Sequence, residues 1–210
     1  MKPNILKREG IENREERLTR LAVTLAEESR QGFPEVLIAG SFPHIETSFR
    51  PDLTPCNEVL DDYYSNLVSM IQQKVDLILC ETMGSIREGL NAAKNALEFS
   101  DRVWLSWTNR GISGDILPSG EKLKDAVLAA NHLDVECQLV NCCAADLATK
   151  NIEALKKAKN FGVYANSRKL KEQKSIQDLG ETEDIDVNHY ANTVPISPEE
   201  YAKEAKIWID

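Results

Sequence analysis

Leu139-Val140-Asn141-Cys142-Cys143 is a short apolar run that ends in an amide and two thiols. Its length is that of a buried strand, and parallel α/β folds place their chemistry at the carboxyl ends of such strands. The stretch therefore predicts an α/β fold in which sulfur capable of binding a metal lies at the end of a strand.

Other apolar runs of strand length occur along the chain, and each is fit for burial on both faces. The predicted strands cover residues 36–39, 76–80, 103–107, 137–140 and 161–165. Segments with the apolar spacing of helices lie between them. Those segments are marked by Leu60, Tyr63, Leu67 and Ile71; by Ile86, Leu90, Ala93 and Leu97; by Leu123, Val127 and Ala130; and by Ile152 and Leu155. Further helices are predicted around Leu21 and around Tyr201 to Trp208.

This alternation predicts parallel strands with right-handed crossovers, which occur in doubly wound open sheets and in (β/α) barrels. Polar residues follow every predicted strand. They are Gly40 and Ser41, Glu81 and Thr82, Thr108 and Asn109, Asn141 and Cys142, and Asn166 and Ser167. A barrel collects such groups in one mouth, whereas an open sheet concentrates them at one switch point and often adds a phosphate loop. Because no GxGxxG or Walker A sequence follows a strand, a barrel is favoured.

Composition restricts the class of protein and the class of ligand. A chain of 210 residues with 42% hydrophobic and 28% charged residues predicts one domain, over residues 1–210, with one core. The net charge of -9 argues against a nucleic-acid partner and favours a small molecule. Five scattered cysteines, with no apolar leader near Met1 and no run of membrane-spanning length, predict a cytoplasmic protein with reduced thiols. The polar segment 168–194 is expected to be a loop over the mouth or a poorly ordered excursion.

Several strings of the sequence, taken in order, resemble the homocysteine S-methyltransferase family. They are Ala39-Gly40-Ser41-Phe42-Pro43, a helix containing Tyr, Val75-Asp76-Leu77-Ile78-Leu79-Cys80-Glu81-Thr82-Met83, Val103-Trp104-Leu105-Ser106-Trp107-Thr108, Val140-Asn141-Cys142-Cys143 and Val163-Tyr164-Ala165-Asn166-Ser167. Each string is weak by itself. Their order and spacing form a specific signal that covers nearly the whole chain.

The resemblance implies a TIM-type (β/α)₈ barrel that holds one zinc ion on three cysteine thiolates. Cys142, at the end of the sixth barrel strand, would be the first of these ligands. The other two belong to a Gly-Gly-Cys-Cys string on the eighth strand, and neither that string nor the Asp-Gly-Gly string of the first strand occurs here. The chain is therefore expected to be an incomplete barrel with about strands three to seven of eight, which a complementing chain or an oligomer could complete.

The reaction that the resemblance implies is methyl transfer to the thiol of homocysteine, giving methionine. The donor would be a sulfonium compound, a betaine-like ammonium compound or a folate. Zinc would deprotonate the thiol so that it can attack. Glu81 would hold the amino group of homocysteine as a buried carboxylate that needs a cationic partner. Asn166 would line the site and could fill the fourth zinc position when substrate is away.

Each candidate also has an interpretation that involves no ligand. Cys142 could be a small buried residue, Glu81 a helix cap, and Asn166 a turn residue. The other cysteines, Cys56, Cys80, Cys137 and Cys143, are expected to be bystanders. His44, His132 and His189 share no metal spacing and are expected to be surface or core residues.

A second hypothesis is a non-catalytic remnant, or an α/β module that binds a small molecule. One thiolate and one amide make a poor zinc site, because tight zinc binding usually takes three or four protein ligands. The isolated chain is therefore predicted to bind zinc weakly and to have no methyltransferase activity.

Overall fold

A single sheet of parallel strands forms the centre of the computed structural model, which describes residues 3–11, 14–71, 74–109, 114–171 and 193–210. The strands are β1 (Ala39–Pro43), β2 (Leu77–Met83), β3 (Val103–Thr108), β4 (Cys137–Ala144) and β5 (Phe161–Asn166). They are hydrogen-bonded in chain order, β1-β2-β3-β4-β5. A doubly wound sheet needs a reversal of strand order, and none occurs among the described strands, so the sheet is an arc of a (β/α) barrel. The predicted α/β fold of the barrel type is confirmed.

Helices connect the strands and cover one face of the sheet. In the described ranges they are α1 (Pro3–Arg8), α2 (Glu15–Ser29), α3 (Asn57–Ile71), α4 (Ile86–Leu97), α5 (Leu123–Ala130), α6 (Ala145–Lys150), α7 (Ile152–Leu155) and α8 (Pro198–Ile209), with a 3₁₀ turn at Pro51–Leu53. The apolar spacing predicted α2, α3, α4, α5, α7 and α8, whereas α1 and α6 were not predicted. None of the described helices is both long enough and apolar enough to span a bilayer.

The side chains of β3 point alternately to the two faces of the sheet. Val103, Leu105 and Trp107 are fully buried in the hydrophobic core. Trp107 packs against α4 so closely that a Cβ at Gly89 would lie 2.4 Å from a ring carbon. Side chains on a strand alternate between faces, so Ser106 belongs to the opposite, inner face. This inner face is the side on which a barrel gathers its polar groups.

Serine side chains cap the N-termini of α4 and α8. Ser197 and Glu200 form a complete capping box at α8. At α4 the Ser85 hydroxyl accepts a hydrogen bond from the Glu88 N–H, but the Glu88 carboxylate accepts from the backbone N–H of Ile45, 2.8 Å away. At α4, therefore, one half of a capping box is present and the other half is replaced by a hydrogen bond to the loop after β1.

Four sequence predictions differ from the structure. The second strand continues beyond its predicted end at residue 80 as far as Met83. The first strand begins at Ala39, where pairing with β2 starts, and Val36 and Leu37 are each 50% exposed outside it. The fourth strand continues beyond its predicted end at residue 140 as far as Ala144. In the polar segment 168–194, β6 (Arg168–Leu170) pairs antiparallel with β7 (Thr193–Pro195), so its two ends are strands and not loop. The remainder of that segment, residues 172–192, lies outside the described residues.

Candidate functional site

A β-bulge interrupts β2 near its carboxyl end. Cys80 pairs with Leu105 and Met83 pairs with Trp107, so Glu81 and Thr82 together oppose one residue of β3. Thr82 has a φ of 63°, which is rare for a β-branched residue. The bulge therefore holds strained backbone directly after Glu81.

A second bulge of the same form interrupts β4. Asn141 pairs with Tyr164 and Ala144 pairs with Asn166, so Cys142 and Cys143 together oppose one residue of β5. Cys142 has a φ of 52°. Within the described residues, Thr82 and Cys142 are the non-glycine residues with positive φ. Backbone strain in the sheet is thus concentrated at two strand ends, a distribution typical of functional sites.

Asn141 links the two bulges through the strand between them. Its Oδ1 accepts a hydrogen bond from the Ser106 hydroxyl at 2.8 Å, and its Nδ2 donates to Thr82 Oγ1 at 2.8 Å. The Thr82 hydroxyl in turn lies 3.9 Å from Cys142 Sγ and donates to it. Asn141 is buried, and both of its amide atoms have partners. It therefore fixes the positions of both bulges. Sequence reasoning gave it no role, although an amide inside an apolar strand was a visible signal.

Glu81 lies on the inner face beside β1, where it accepts a hydrogen bond from the Ser41 hydroxyl. It is partly buried, not fully buried as the sequence predicted: Pro43 of β1 stands opposite it, and the exposed Ser41 lies two residues earlier on the same strand. In the described part of the chain Glu81 forms no ion pair. The carboxylate is therefore open to a cationic ligand.

Tyr164 joins Glu81 and Cys142 into one cluster. Burial raises the pKa of Tyr164, a hydrogen bond with Ser106 lowers it, and the nearby Glu81 and Cys142 raise it. The phenol therefore remains neutral near physiological pH. Both candidate residues therefore lie within electrostatic range of the phenol.

Asn166 lies two residues after Tyr164 on β5 and so belongs to the same face. It is partly buried and stands opposite Ala144, just beyond the Cys142 bulge. Among the described contacts, its side chain makes no hydrogen bond to Glu81 or Cys142. The structure thus places Asn166 at the edge of the cluster.

The other described thiols are poor candidates for ligands. Cys143 is fully buried in the core, and burial, with Cys142 and Asp146 nearby, raises its pKa to about 12. Burial, with Glu136 nearby, raises the pKa of Cys137 to about 11, and burial raises the pKa of Cys80 even further. These groups stay protonated at neutral pH, whereas metal ligands must be thiolates. Cys56 is exposed on the loop before α3.

The two histidines in the described part of the chain lie outside the cluster. His44 Nδ1 is hydrogen-bonded to the Ser48 hydroxyl at 2.7 Å in the loop after β1, and His132 follows α5. His189 lies outside the described residues. Across the described ranges, no three His, Cys, Asp or Glu side chains come together in a way that could hold a metal ion. The described residues therefore supply one suitable thiol, Cys142, and do not by themselves make a zinc site.

Comparisons with known proteins agree with this architecture. The metallated form of the homocysteine methyltransferase MmuM from Escherichia coli has a TM-score of 0.67 and 24% identity, over 79% of this chain and 64% of that chain. Its oxidized form has a TM-score of 0.65 and 22% identity, over 77% and 61% of the two chains. At these identities the likeness shows the fold, and the chain spans less than two thirds of those proteins. No curated protein matches the sequence.

The family assignment rests on a sequence match that covers almost the entire chain. The family model described as homocysteine S-methyltransferase matches residues 2–210. The strand ends with Glu81, Cys142 and Asn166 all fall within that match. This chain therefore belongs to the homocysteine S-methyltransferase family.

Proposed function

We propose that this chain binds homocysteine and acts in the transfer of a methyl group to its thiol, giving methionine. Family membership supports methylation of homocysteine in general. The observation that carries the proposal for this chain is the cluster of Glu81, Tyr164 and Cys142 on the inner face, held by two bulged strands. The proposed partners are small molecules, and the proposed location is the cytoplasm, where thiols stay reduced.

Glu81 is proposed to bind the ammonium group of homocysteine. A unit charge pair 4 Å apart is worth about 1 kcal/mol in water and about 4 kcal/mol near a protein surface. Glu81 has no competing ion pair in the described part of the chain, so its charge is available to the ligand. Asn166 is proposed to line the same site through its side-chain amide.

Methyl transfer requires an attacking thiolate and a donor held in line with it. The homocysteine sulfur forms the new bond to the methyl carbon, and the old bond to the donor's sulfur or nitrogen breaks with its electron pair leaving on the donor. A sulfonium, betaine-like or folate donor can each release the methyl group in this way, because its sulfur or nitrogen keeps the electron pair of the broken bond. Tyr164 is neutral and therefore adds no competing negative charge near the sulfur, while Glu81 favours the positive charge that the substrates carry.

Cys142 is proposed as one ligand of a zinc ion. A bound zinc ion supplies the chemistry that keeps the homocysteine sulfur as a thiolate at neutral pH. Tight zinc binding usually takes three or four protein ligands, and the described residues offer one thiolate. Further ligands would have to come from outside the described residues, either from more of the polypeptide or from a complementing chain. Alone, the 210-residue chain is expected to bind zinc weakly and to be inactive.

Calorimetric titration with L-homocysteine tests the role of Glu81. The Glu81→Gln variant is expected to bind roughly tenfold more weakly, because one charged hydrogen bond is lost. Glu35→Gln, at an exposed acid before β1, is the matched control and should bind like the wild type. Equal affinity of Glu81→Gln and wild type for homocysteine would contradict the role assigned to Glu81.

Elemental analysis after dialysis tests the expected weak zinc binding. A content near one zinc ion per chain would contradict it.

A binding module without catalysis is the second candidate. The observation that favours it is the single metal-capable thiol of the described cluster. Homocysteine binding without methyl transfer, after zinc, a methyl donor and the missing barrel strands have been added, would support this alternative. Methyl transfer under those conditions would exclude it.

A further inference from the structure

Ser41 has a backbone position on β1 that its two neighbours fix. Gly40 and Phe42 are buried on the outer face of the strand. A Cβ at Gly40 would lie 2.7 Å from Ile71 Cδ1, so β1 is in close contact with α3 there, and Phe42 stacks on Tyr64 with ring centroids 5.5 Å apart. Because side chains alternate along a strand, Ser41 faces away from this packing, and it is exposed.

The Glu81 side chain is longer and more flexible than that of Ser41, and the serine hydroxyl restrains it. Pro43 pairs with Glu81 and Ser41 lies two residues earlier, so all three side chains belong to the same face of the sheet. In the described ranges, the hydrogen bond from the Ser41 hydroxyl to Oε1 is the one that the Glu81 carboxylate makes. In this part of the chain, one hydroxyl therefore orients the carboxylate.

This hydrogen bond leaves the carboxylate able to bind a ligand. An ionised carboxylate has two oxygens with about four lone-pair positions, and an ammonium group is a pure donor. Ser41 uses one position on Oε1, so Oε2 is available to the ammonium group. A side chain that is ordered before the ligand arrives loses less conformational entropy on binding. The hydroxyl is therefore expected to increase the affinity for an ammonium group and not to compete with it.

We propose that Ser41 is a positioning residue for the ammonium group of an α-amino-acid ligand and that it acts through Glu81. This inference rests on the proposed function, in which Glu81 binds the ammonium group of homocysteine. It adds a residue of β1 to the site. Ser41 helps the site to distinguish a thiol that carries an ammonium group from a thiol that lacks one.

Calorimetric titration of the full chain with two thiols tests the proposal. L-Homocysteine carries the ammonium group, and 4-sulfanylbutanoic acid keeps the thiol and the carboxylate but lacks the ammonium. Ser41→Ala is expected to weaken homocysteine binding roughly fivefold and to leave the affinity for 4-sulfanylbutanoic acid unchanged. Ser41→Thr keeps the hydroxyl at an exposed strand position and should bind homocysteine like the wild type. Ser69→Ala, at an exposed serine of α3, is the matched control.

A double-mutant cycle measures whether Ser41 acts through Glu81. In the Glu81→Gln background, Ser41→Ala should change homocysteine affinity by roughly twofold or less, because the carboxylate that the hydroxyl orients is absent. The same loss of affinity in both backgrounds would overturn the proposal. So would an equal loss of affinity for both thiols, or tighter homocysteine binding by Ser41→Ala.

The same titrations separate this inference from the proposed function. If the wild type does not bind homocysteine, or if Glu81→Gln binds it as tightly as the wild type, the role of Glu81 fails together with this inference. If Glu81→Gln weakens homocysteine binding and Ser41→Ala does not, this inference alone fails.

Discussion

Replacing Cys142 by glycine should stabilise the fold relative to replacing it by alanine. The φ of 52° at Cys142 lies in the left-handed region, which costs a non-glycine residue about 1–2 kcal/mol. Glycine avoids that cost but gives up about 0.5–1 kcal/mol through the greater freedom of the unfolded chain. Both variants lose the same 3.9 Å contact with Thr82. The net expectation is that Cys142→Gly is more stable than Cys142→Ala by about 1 kcal/mol, roughly a fivefold change in the folding equilibrium.

Urea unfolding followed by circular dichroism measures this difference. The same pair of substitutions at Asn66, inside α3, is the matched control, and there glycine should be less stable than alanine by about 1 kcal/mol. If glycine is more stable than alanine at position 142 and less stable at position 66, the backbone conformation of Cys142 explains the difference in stability. If Cys142→Ala proves as stable as Cys142→Gly, the bulge is not strained and the argument from strain to function fails.

Two further predictions concern packing and pH. Gly89→Ala should destabilise the chain by about 1–2 kcal/mol in urea unfolding. The new Cβ would lie 2.4 Å from a ring carbon of buried Trp107, and the cost of this overpacking outweighs the gain in helix propensity. A variant as stable as the wild type, or more stable, would contradict this prediction. Stability should also fall at alkaline pH, because thiols with an ordinary pKa of 9.0 have values of about 11 at Cys137 and about 12 at Cys143 in the folded chain. Because the neutral thiols are favoured in the folded chain, they contribute to the free energy of unfolding in full below pH 9. That contribution is lost as the pH rises through 11 and 12. A urea midpoint that stays constant from about pH 8 to about pH 11.5 would refute the prediction.

Regular periodicity made the sheet predictable from the sequence. The strand around Leu105 and the helix from Ile86 to Leu97 follow simple apolar patterns, and the structure has both. Trp104 and Trp107 illustrate the principle, since their spacing of three residues predicts opposite faces, and Trp107 indeed packs against α4. What the pattern could not give was the start of β1, because Val36 and Leu37 are as apolar as strand residues but have no partner strand beside them.

The candidate site was predictable in its residue types but not in its shape. Polar residues after each strand predicted that Glu81 and Cys142 would share one edge, and in the structure both lie within electrostatic range of Tyr164. The two bulges had no signal in the sequence, because a bulge is a mismatch in length between two strands and appears only when they are paired. Thr82 makes this plain, since a β-branched residue is among the last that local preference would place at positive φ. Glu81 was expected to be buried, and only the structure shows that it is partly open beside the exposed Ser41, which is hydrogen-bonded to it.

The bulge in β4 gives the Cys142-Cys143 doublet a meaning that does not depend on sulfur. Two residues there occupy the place of one, so the second thiol acts as a spacer. Deleting Cys143 would remove the bulge and restore regular pairing with β5, whereas substituting it would leave the bulge in place. In comparing relatives of this chain, an insertion or a deletion at this point would therefore matter more than the identity of residue 143.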